Sequence, residues 1–363
     1  MFNPLQLIPL RLELRGTPSR TMAYASPLIA IVLTMILGAL LFIALGKDPL
    51  AGLKVFLIDP FNGKRAISEL LLKTIPLVLC ALGLSVCYRA NVWNIGAEGQ
   101  LIVGGLFAGA TLVWLDVPGH AIPGSLGLLL MILAGIVGGA LWAGITALLR
   151  DRFNANEILV SLMLTYIAQL LLMYAVNGPL KDPNGMNFPQ SKVFSAEFLL
   201  PALIPGTRLH IGFIAMLAAA FGMTVFMLRS FRGYALTVGG LAPLAARYAG
   251  FSSRSALWLS LLISGGFAGL AGAFEVAGPI GQLLPSISPG YGFAAIIVAF
   301  VGRLHPLGAI LGGLVMSLFY IGGELAQSRL GLPAAITGVF QGLLLFLLLA
   351  CDTLIDYRLR WHK

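Results

Sequence analysis

The feature that most constrains the fold of this chain is a succession of apolar runs, most of them as long as a membrane-spanning helix. A helix needs roughly 20 predominantly apolar residues to cross the hydrocarbon core of a bilayer. Charged residues and prolines delimit ten runs: 26–46, 66–88, 96–115, 121–149, 157–176, 210–229, 255–277, 293–302, 306–325 and 334–355. The eighth is too short to span unless it borrows residues from 286–292. The sequence therefore predicts an all-α polytopic membrane protein with about ten transmembrane helices.

Composition supports the membrane assignment and argues against a nucleic-acid partner. Only 10% of the 363 residues are charged, whereas soluble domains carry about 25%. The net charge of +9 comes mostly from basic residues at the edges of apolar runs, where they orient helices and meet anionic lipid. The three cysteines and four histidines show no metal-binding or redox spacing. We therefore predict no metal site and no catalytic residues.

The segments outside the apolar runs predict the topology. Residues 1–25 resemble a cytoplasmic or interfacial leader without a cleavable signal pattern, residues 26–355 the transmembrane domain, and residues 356–363 a cytoplasmic tail. With both termini cytoplasmic, the segments on that side hold fourteen Lys and Arg residues, against eight on the other side. The positive-inside rule favours this orientation. The five-proline segment 177–209 is then an external loop, and the basic segment 230–254 is cytoplasmic.

A weak internal repeat divides the chain into two halves. Residues 96–110 (GAEGQLIVGGLFAGA) and residues 290–302 (GYGFAAIIVAFVG) both begin with glycine and continue with apolar and small residues. Five spans per half would give the halves opposite orientations, which is the inverted-repeat design of many transporters. The proline- and glycine-rich residues 278–292 precede the second copy and are candidates for re-entering the membrane.

Polar residues concentrate in one stretch between apolar runs, residues 88–105 (YRANVWNIGAEGQLIVGG). A carboxylate inside a membrane costs about 2.5–3.5 kcal/mol or more, so a functional role is the first hypothesis for Glu98. A second set of polar and aromatic residues surrounds the second glycine-rich stretch. The candidate residues of a solute pathway are Asn91, Trp93, Asn94, Glu98, Gln100, Glu275, Gln282, Tyr291 and Phe293.

Each of these residues also has a purely structural interpretation. Glu98 can be a packing carboxylate that backbone amides satisfy at the adjacent chain break. Asn94 and Gln100 offer donors and acceptors for a ribose or a base edge, and equally for hydrogen bonds between helices. Trp93 can stack on a base or anchor the chain at the membrane interface.

The energy source is constrained by a missing motif. No G-x-x-x-x-G-K-[ST] occurs, so this chain has no phosphate-cradling loop of its own. Segment 230–254 is a candidate docking site for a separate ATPase. Pro243 suits the first turn of a helix, and Gly250 suits the end of one. The short helix predicted over Leu244–Ala249 would expose Leu244, Arg247 and Tyr248 to a partner. An ordinary basic loop is the alternative.

Residues 240–251, GLAPLAARYAGF, resemble the cytoplasmic coupling motif of ABC-importer permeases for branched-chain amino acids, ribose and nucleosides. That motif reads G-x-N-P-x-A-A-x-x-x-G-I and precedes a glycine- and serine-rich helix, here LISGGFAGLAG. Ala242 replaces the usual Asn and Leu244 a common acidic residue, which questions the capping and polar contacts of the element. The resemblance assigns ATPase coupling to Gly240, Pro243, Leu244, Ala245, Ala246, Arg247, Tyr248 and Gly250.

The stretch NIGAEGQ narrows the resemblance to the longer permease of nucleoside importers served by basic-membrane-lipoprotein-type binding proteins. The resemblance covers residues 26–355 and implies a type II importer fold in the bacterial cytoplasmic (inner) membrane. It also implies an ATPase subunit that binds ATP–Mg, an external solute-binding protein, and a second, shorter permease chain or a homodimer. The permease itself would need no cofactor.

Three other functions are weighed against a nucleoside importer. The same machine could carry a simple sugar or another small polar solute. An ion-coupled secondary transporter would need paired carboxylates, and Glu98 with Glu275 is the one pairing available. An intramembrane enzyme would need paired His/Glu or Asp/Asp motifs, which the runs lack. Lys73, inside the second run, is interpreted as the ion-pair partner of Glu69, one helical turn earlier.

Overall fold

The computed structural model describes residues 10–116 and 123–361, which form helices and one two-stranded sheet. Residues 1–9 of the predicted leader, 121–122 of the fourth run and 362–363 of the tail lie outside the described residues. The elements are β1 (Leu10–Leu14), α1 (Arg20–Ala44), α2 (Pro49–Leu53), α3 (Lys64–Arg89), α4 (Ala97–Leu115), α5 (Gly124–Phe153), α6 (Glu157–Asn177), α7 (Gly212–Arg229), α8 (Phe231–Leu241), α9 (Pro243–Tyr248), α10 (Ser253–Glu275), α11 (Tyr291–Val301), α12 (Pro306–Leu330), α13 (Ala335–Asp356) and β2 (Tyr357–Trp361).

Nine helices within the described residues are long and apolar enough to cross a membrane: α1, α3, α4, α5, α6, α7, α10 with its extension to Ile280, α12 and α13. They correspond to nine of the ten predicted runs. The eighth run, 293–302, forms the shorter helix α11, which has 11 residues and is too short to span by itself, as the length of the run indicated. That length is about 17 Å, against about 30 Å of hydrocarbon. The chain is an all-α, multi-pass membrane protein.

Residues 63–317 form one compact unit in which α10 packs against α3, α4 and α5. The contacts between these helices are made by glycine. Gly269 of α10 approaches the backbone of Gly135 and Gly139 on α5, and a methyl group at Gly104 of α4 would overlap Gly269. Such close approach allows the dispersion contacts that hold helices together where lipid is as apolar as the side chains. The 44 glycines of the sequence are in part explained by this packing.

The segment between α10 and α11 has an irregular backbone that the protein itself satisfies. Ser191, in the loop before α7, donates its N–H to the Leu283 carbonyl at 3.0 Å and accepts the Leu283 N–H on its hydroxyl at 2.8 Å. Beyond α11, the Leu304 carbonyl accepts from Arg89 Nε at 3.0 Å. Residues 281–304 therefore run from the loop before α7 to the end of α3. Non-helical backbone at membrane depth is tolerated where protein surrounds it.

The second unit comprises the described residues of 1–62 and 318–363. Its core is aromatic: Phe56 stacks on Phe340 with ring centroids 4.2 Å apart, and Phe42 and Phe319 pack around this pair. Phe56 belongs to the short apolar segment that follows α1, which is too short to span. The segment forms α2 and the π-helical turn Lys54–Ile58, whose single buried side chain is Phe56.

The two ends of the described chain pair with each other. β1 and β2 are antiparallel, and Glu13 lies opposite Arg358. Glu13 accepts hydrogen bonds from Arg358 and Arg360, whose guanidinium groups hold the pKa of this carboxyl below its ordinary range. The sequence analysis predicted no pairing between the leader and the tail, and this pairing spans almost the whole sequence.

Candidate functional site

The polar stretch 88–105 folds as the end of α3, an irregular segment, and the first turns of α4. Asn91 has a φ of +54°, a left-handed conformation that asparagine tolerates better than most residues, and it turns the chain out of α3. Residues 92–96 continue without helix until Ala97 begins α4. The predicted pathway residues of this stretch are thereby distributed between the end of one helix and the start of the next.

Asn94 and Gln100 form a closed amide pair. Each side-chain NH₂ donates to the other side-chain oxygen at 3.1 Å. Asn94 also donates to the Ser264 hydroxyl at 3.0 Å and accepts the Gly96 N–H at 2.9 Å, which satisfies an otherwise orphan donor before α4. Both side chains are buried. Their hydrogen-bonding capacity is largely used inside the protein, which favours the structural interpretation over contact with a solute.

Glu98 joins the N-terminal ends of two helices. Its carboxylate accepts the N–H of Gly292, in the first turn of α11, at 2.6 Å. The Ser288 hydroxyl and the Gly290 amide also donate to it. A methyl group at Gly292 would overlap the backbone of Glu98, so the two helix ends lie in direct contact. A carboxylate at helix N-termini is stabilised by the aligned peptide dipoles, so this geometry favours the packing role for Glu98.

The aromatic residues near the end of α3 form a cluster. Tyr88 stacks on Phe300 with centroids 5.2 Å apart, and Trp93 contacts both rings. Trp93 keeps part of its ring exposed, as does Phe293 on α11. Trp93 and Asn91 therefore lie near Arg89, at the end of the unit that also carries segment 230–254. We call this the Arg89 end, and the opposite end, near Arg208, the Arg208 end.

A polar cavity of about 120 Å³ lies at the Arg208 end. Its lining comprises Glu69, Leu72, Lys73, Arg208, Glu275, Pro279, Ile280 and Tyr291. Two of these residues, Glu275 and Tyr291, belong to the predicted pathway set. Arg208 binds the Glu69 carboxylate through two hydrogen bonds of 2.9 and 2.6 Å. The pairing of Glu69 with Lys73 stays a prediction.

Lys73 contacts α11. Its Nζ lies 3.5 Å from the Tyr291 hydroxyl, and both residues line the cavity together with Glu275. Tyr291 and Gly292 are consecutive, so the first turn of α11 links the polar cavity to the Glu98 junction. Gln282 lies before this turn, and among the described residues nothing donates to its buried amide oxygen. The sequence could have indicated Lys73 and Arg208 only as charges near segment ends.

Segment 230–254 forms α8, α9 and a turn at Gly250, whose φ is +84°. The short helix predicted over 244–249 is present as α9, with Pro243 in its first turn. Ala242 provides no side-chain cap, as its replacement of asparagine suggested. Ala246 is buried, whereas Leu244 and Tyr248 are 85% and 96% exposed. Two large apolar side chains project from this helix, flanking an exposed Arg247.

Segment 230–254 contacts the polar stretch directly. A methyl group at Gly240, near the end of α8, would overlap the carbonyl of Arg89, at the end of α3. Beside this contact, a cavity of about 430 Å³ lies between Ala90, Val92, α8 and the start of α10. Phe251 closes the segment by packing against Phe231. A displacement of α8 and α9 therefore meets the chain break before α4.

His210 is a buried titratable residue that the sequence analysis did not assign. It lies against Phe274 and accepts the Gly212 N–H on Nδ1 at 3.1 Å, and burial lowers its pKa to about 4.

Within residues 10–116 and 123–361, no group of three or more His, Cys, Asp or Glu residues could hold a metal ion.

Comparisons with known proteins identify the family. Residues 66–349 match the model of the branched-chain amino acid transport system permease component. The chain is 34% identical to a glucose ABC transporter permease of Haloferax volcanii over 97% of its own length and 93% of that protein. It is 31% identical to a guanosine ABC transporter permease of Bacillus subtilis over 86% and 89%. A nucleoside ABC transporter permease of Lactococcus lactis is 28% identical over 90% and 91%. The chain belongs to the branched-chain amino acid transport system permease family of ABC transporters.

Proposed function

We propose that this permease forms the translocation pathway of an ATP-driven nucleoside importer, in which α9 docks on a separate ATPase chain. The ATPase would hold ATP–Mg, and the permease itself would bind no cofactor. An external binding protein would deliver the solute. A second, shorter permease chain or a second copy of this chain would complete the pathway.

The observation that carries this proposal is the contact of Gly240 with the Arg89 carbonyl, next to the exposed α9. Movement of α9 by a partner would displace α8 and press on the end of α3. The irregular residues 90–96 follow immediately, and they end at the junction of α4 with α11. Hydrogen bonds of Asn94 and Glu98 stabilise that junction. A displacement of Gly240 would therefore be transmitted to the polar stretch.

Two relatives support a nucleoside as the solute, since their names state guanosine and nucleoside transport. The glucose permease of H. volcanii supports a sugar as the second candidate. Both solute classes are neutral and carry adjacent hydroxyl groups, so the same pathway chemistry would serve either. The NIGAEGQ stretch favours the nucleoside.

For orientation we propose a bacterial cytoplasmic membrane with both termini and the Arg89 end in the cytoplasm. The excess of Lys and Arg in the corresponding segments supports this placement. The loop 177–209 would then face outward, where a binding protein docks. Lipid-facing residues of α1, α5 and α13 are largely exposed and apolar, as a bilayer requires.

The test is uptake of radiolabelled nucleosides and glucose by cells with and without this gene. Parallel assays add either an ATP-depleting agent or a protonophore. We expect nucleoside uptake that depends on the gene, is lost with ATP and survives the protonophore. Uptake of glucose without uptake of nucleosides would be consistent with the ATP-driven importer but would refute a nucleoside as its solute. Uptake that follows the proton gradient would overturn the ATP-driven mechanism.

A further inference from the structure

The cavity of about 430 Å³ beside α8 is polar where it opens and apolar where it is deep. The exposed polar residues of its rim are Arg232, Ser252, Ser253 and Ser255. The buried apolar residues of its floor are Ala90, Val92, Leu236 and Ala246. Its volume lies within the roughly 300–1,000 Å³ of small-molecule sites. A polar rim above an apolar floor fits an amphiphile better than a wholly polar solute.

The rim of this cavity is positively charged. Arg232 lies one helical turn before Leu236 on α8, so the guanidinium and part of the floor belong to one wall. No Asp or Glu occurs among the described residues that line the cavity. The serine hydroxyls add hydrogen-bond donors without charge. A guanidinium with several donors is complementary to an anion with several oxygens, of which phosphate is the common case.

The position of the cavity selects the source of that phosphate. Three membrane-spanning helices end beside it: Ala90 follows α3, Phe231 begins α8 two residues after α7 ends, and Ser253 begins α10. Lipid headgroups lie at the depth where spanning helices end. Basic pockets between spanning helices at this depth bind anionic headgroups. The apolar floor supplies the surface for an attached acyl chain.

We propose that this cavity binds an anionic phospholipid, with the phosphate at Arg232 and the rim serines and an acyl chain on the floor. α8 forms one wall of the cavity, and Ala90 and Val92, which follow α3, form part of another. A bound lipid therefore contacts both elements through which a displacement of α9 would reach the polar stretch. The lipid composition of the bilayer then regulates coupling. This regulatory step rests on the proposed function, whereas the binding does not.

The first measurement is lipid binding to the purified permease. Native mass spectrometry follows a titration with phosphatidylglycerol, with phosphatidylcholine as the neutral comparison. We expect one tightly retained phosphatidylglycerol, and Arg232→Gln to weaken its binding about tenfold or more, as for a lost hydrogen bond to a charged group. Gly239→Leu should also weaken it. Gly239 lines the cavity and a Cβ there meets no neighbouring atom within 4 Å, so a leucine side chain has room to occupy the floor.

Two matched controls lie outside the lining of the cavity. Arg229→Gln removes the same charge three residues earlier, from an exposed residue at the end of α7. Gly222→Leu makes the same enlargement on α7, where a Cβ also meets no neighbouring atom within 4 Å. Both should retain the tightly bound lipid. Equal losses in Arg229→Gln and Arg232→Gln would indicate attraction by net charge alone and would overturn the site.

Folding is verified by the Tm of each variant. Arg232→Gln changes an exposed side chain and is expected to keep the wild-type Tm. It decides the proposal by itself if Gly239→Leu lowers the Tm.

Glycerol phosphate distinguishes a lipid from a free phosphate. It carries the phosphate of the headgroup without acyl chains, so it should compete poorly with phosphatidylglycerol. Competition at equal concentration would overturn the lipid and assign a soluble phosphate compound instead.

The regulatory step is measured on the complete transporter, with its ATPase and binding protein, in phosphatidylcholine vesicles with and without phosphatidylglycerol. The assay uses whichever solute the wild type takes up, so an error in the proposed solute does not affect it. We expect phosphatidylglycerol to stimulate uptake by the wild type and by Arg229→Gln, but not by Arg232→Gln. Equal stimulation of the two variants would overturn the regulation, even where the lipid binds.

Discussion

His210 couples a backbone hydrogen bond to the protonation of one imidazole. Nδ1 accepts the Gly212 N–H just before α7, so this nitrogen must carry no proton. The ring lies against Phe274 and Gly278, and burial lowers its pKa to about 4. Acidification therefore charges a group in an apolar site and breaks the bond that begins α7.

The pH dependence follows from linkage. An unfolded histidine takes up its proton near pH 6.5, whereas His210 in the folded protein does so near pH 4. Between these values the unfolded state binds more protons, so stability falls as the pH falls, by about 3 kcal/mol in total. We expect the Tm of the purified protein to drop between pH 7 and pH 4.5, and His210→Asn to flatten that drop. Asparagine keeps an acceptor for the Gly212 amide but does not titrate.

His305→Asn is the matched comparison. His305 also accepts a backbone N–H on Nδ1, from Leu307 at 3.2 Å, but it is only partly buried. Desolvation, and then the charge of Arg89, lower its pKa. Solvent screens this site more, so its substitution should change the pH dependence less. Equal flattening by the two variants would refute the burial argument.

For individual residues, the sequence indicated which positions were unusual but did not indicate whether their role was structural or solute-binding. Asn94, Glu98 and Gln100 are all buried and hydrogen-bonded, as polar residues at membrane depth are expected to be. Their partners, Ser264 and Gly292, lie far along the chain. No local pattern contains those contacts, so the structural and solute-binding interpretations could be separated only by geometry.

The short helix α9 is largely exposed: of its six residues, only Ala246 is buried. Its six residues project Leu244 and Tyr248 into solvent while Ala246 anchors it. Exposed large apolar side chains on a short, capless helix are costly unless a partner covers them. The proline at its start, and the glycine turn after it, were readable from the sequence because both fix the backbone.

Substitutions on α9 test coupling. We expect Leu244→Asp or Arg247→Glu to reduce ATP-dependent uptake at least tenfold while the protein remains folded and in the membrane. The reason is that each places an acidic charge where an apolar or basic contact would be made. The measurement is uptake together with ATP hydrolysis by the reconstituted complex, which should become independent of solute.

Val193→Asp is the control for this pair. Val193 is an exposed apolar residue like Leu244, but it lies in the loop before α7, at the Arg208 end. It should leave the coupling of hydrolysis to solute intact. Unchanged uptake in both α9 variants would remove segment 230–254 from the mechanism.

Helix prediction succeeded where run length alone decides the structure and failed where the backbone is irregular. Nine runs became helices because 18 or more apolar residues in a membrane have no other way to satisfy their backbone. The run 293–302 became a short helix because the preceding residues 281–290 bond to neighbouring loops and helices instead. Those bonds depend on tertiary partners and carry no periodic signal.

For the whole molecule, the pairing of β1 with β2 brings the two ends of the described chain together. Five residues separate the end of β1 from the start of α1, and β2 follows α13 directly. The alternation of apolar and charged residues in LRLEL and YRLRW is a strand pattern that the sequence displays. What it does not display is the pairing, since the strands are separated by more than 340 residues.

A cross-linking experiment tests this arrangement and the proposed orientation together. Glu13 and Arg358 are direct partners, and Cα atoms of paired antiparallel residues lie about 4.5–5.5 Å apart, within disulfide range. We expect Glu13→Cys with Arg358→Cys to form a disulfide on mild oxidation. Glu13→Cys with Lys47→Cys should not, because α1 separates these positions by 25 residues of helix, about 37 Å. The three native cysteines are buried and give little background.

The same cysteines report the side of the membrane. With both termini cytoplasmic, a membrane-impermeant maleimide should label Cys at position 13 only after the cells are opened, while Val193→Cys should be labelled in intact cells. A disulfide between positions 13 and 358 with labelling of both in intact cells would keep the fold and invert the topology. Absence of the disulfide in a folded protein would refute the pairing itself. Opposite labelling of positions 13 and 358 would do so as well, because paired strands cannot lie on opposite sides of a bilayer.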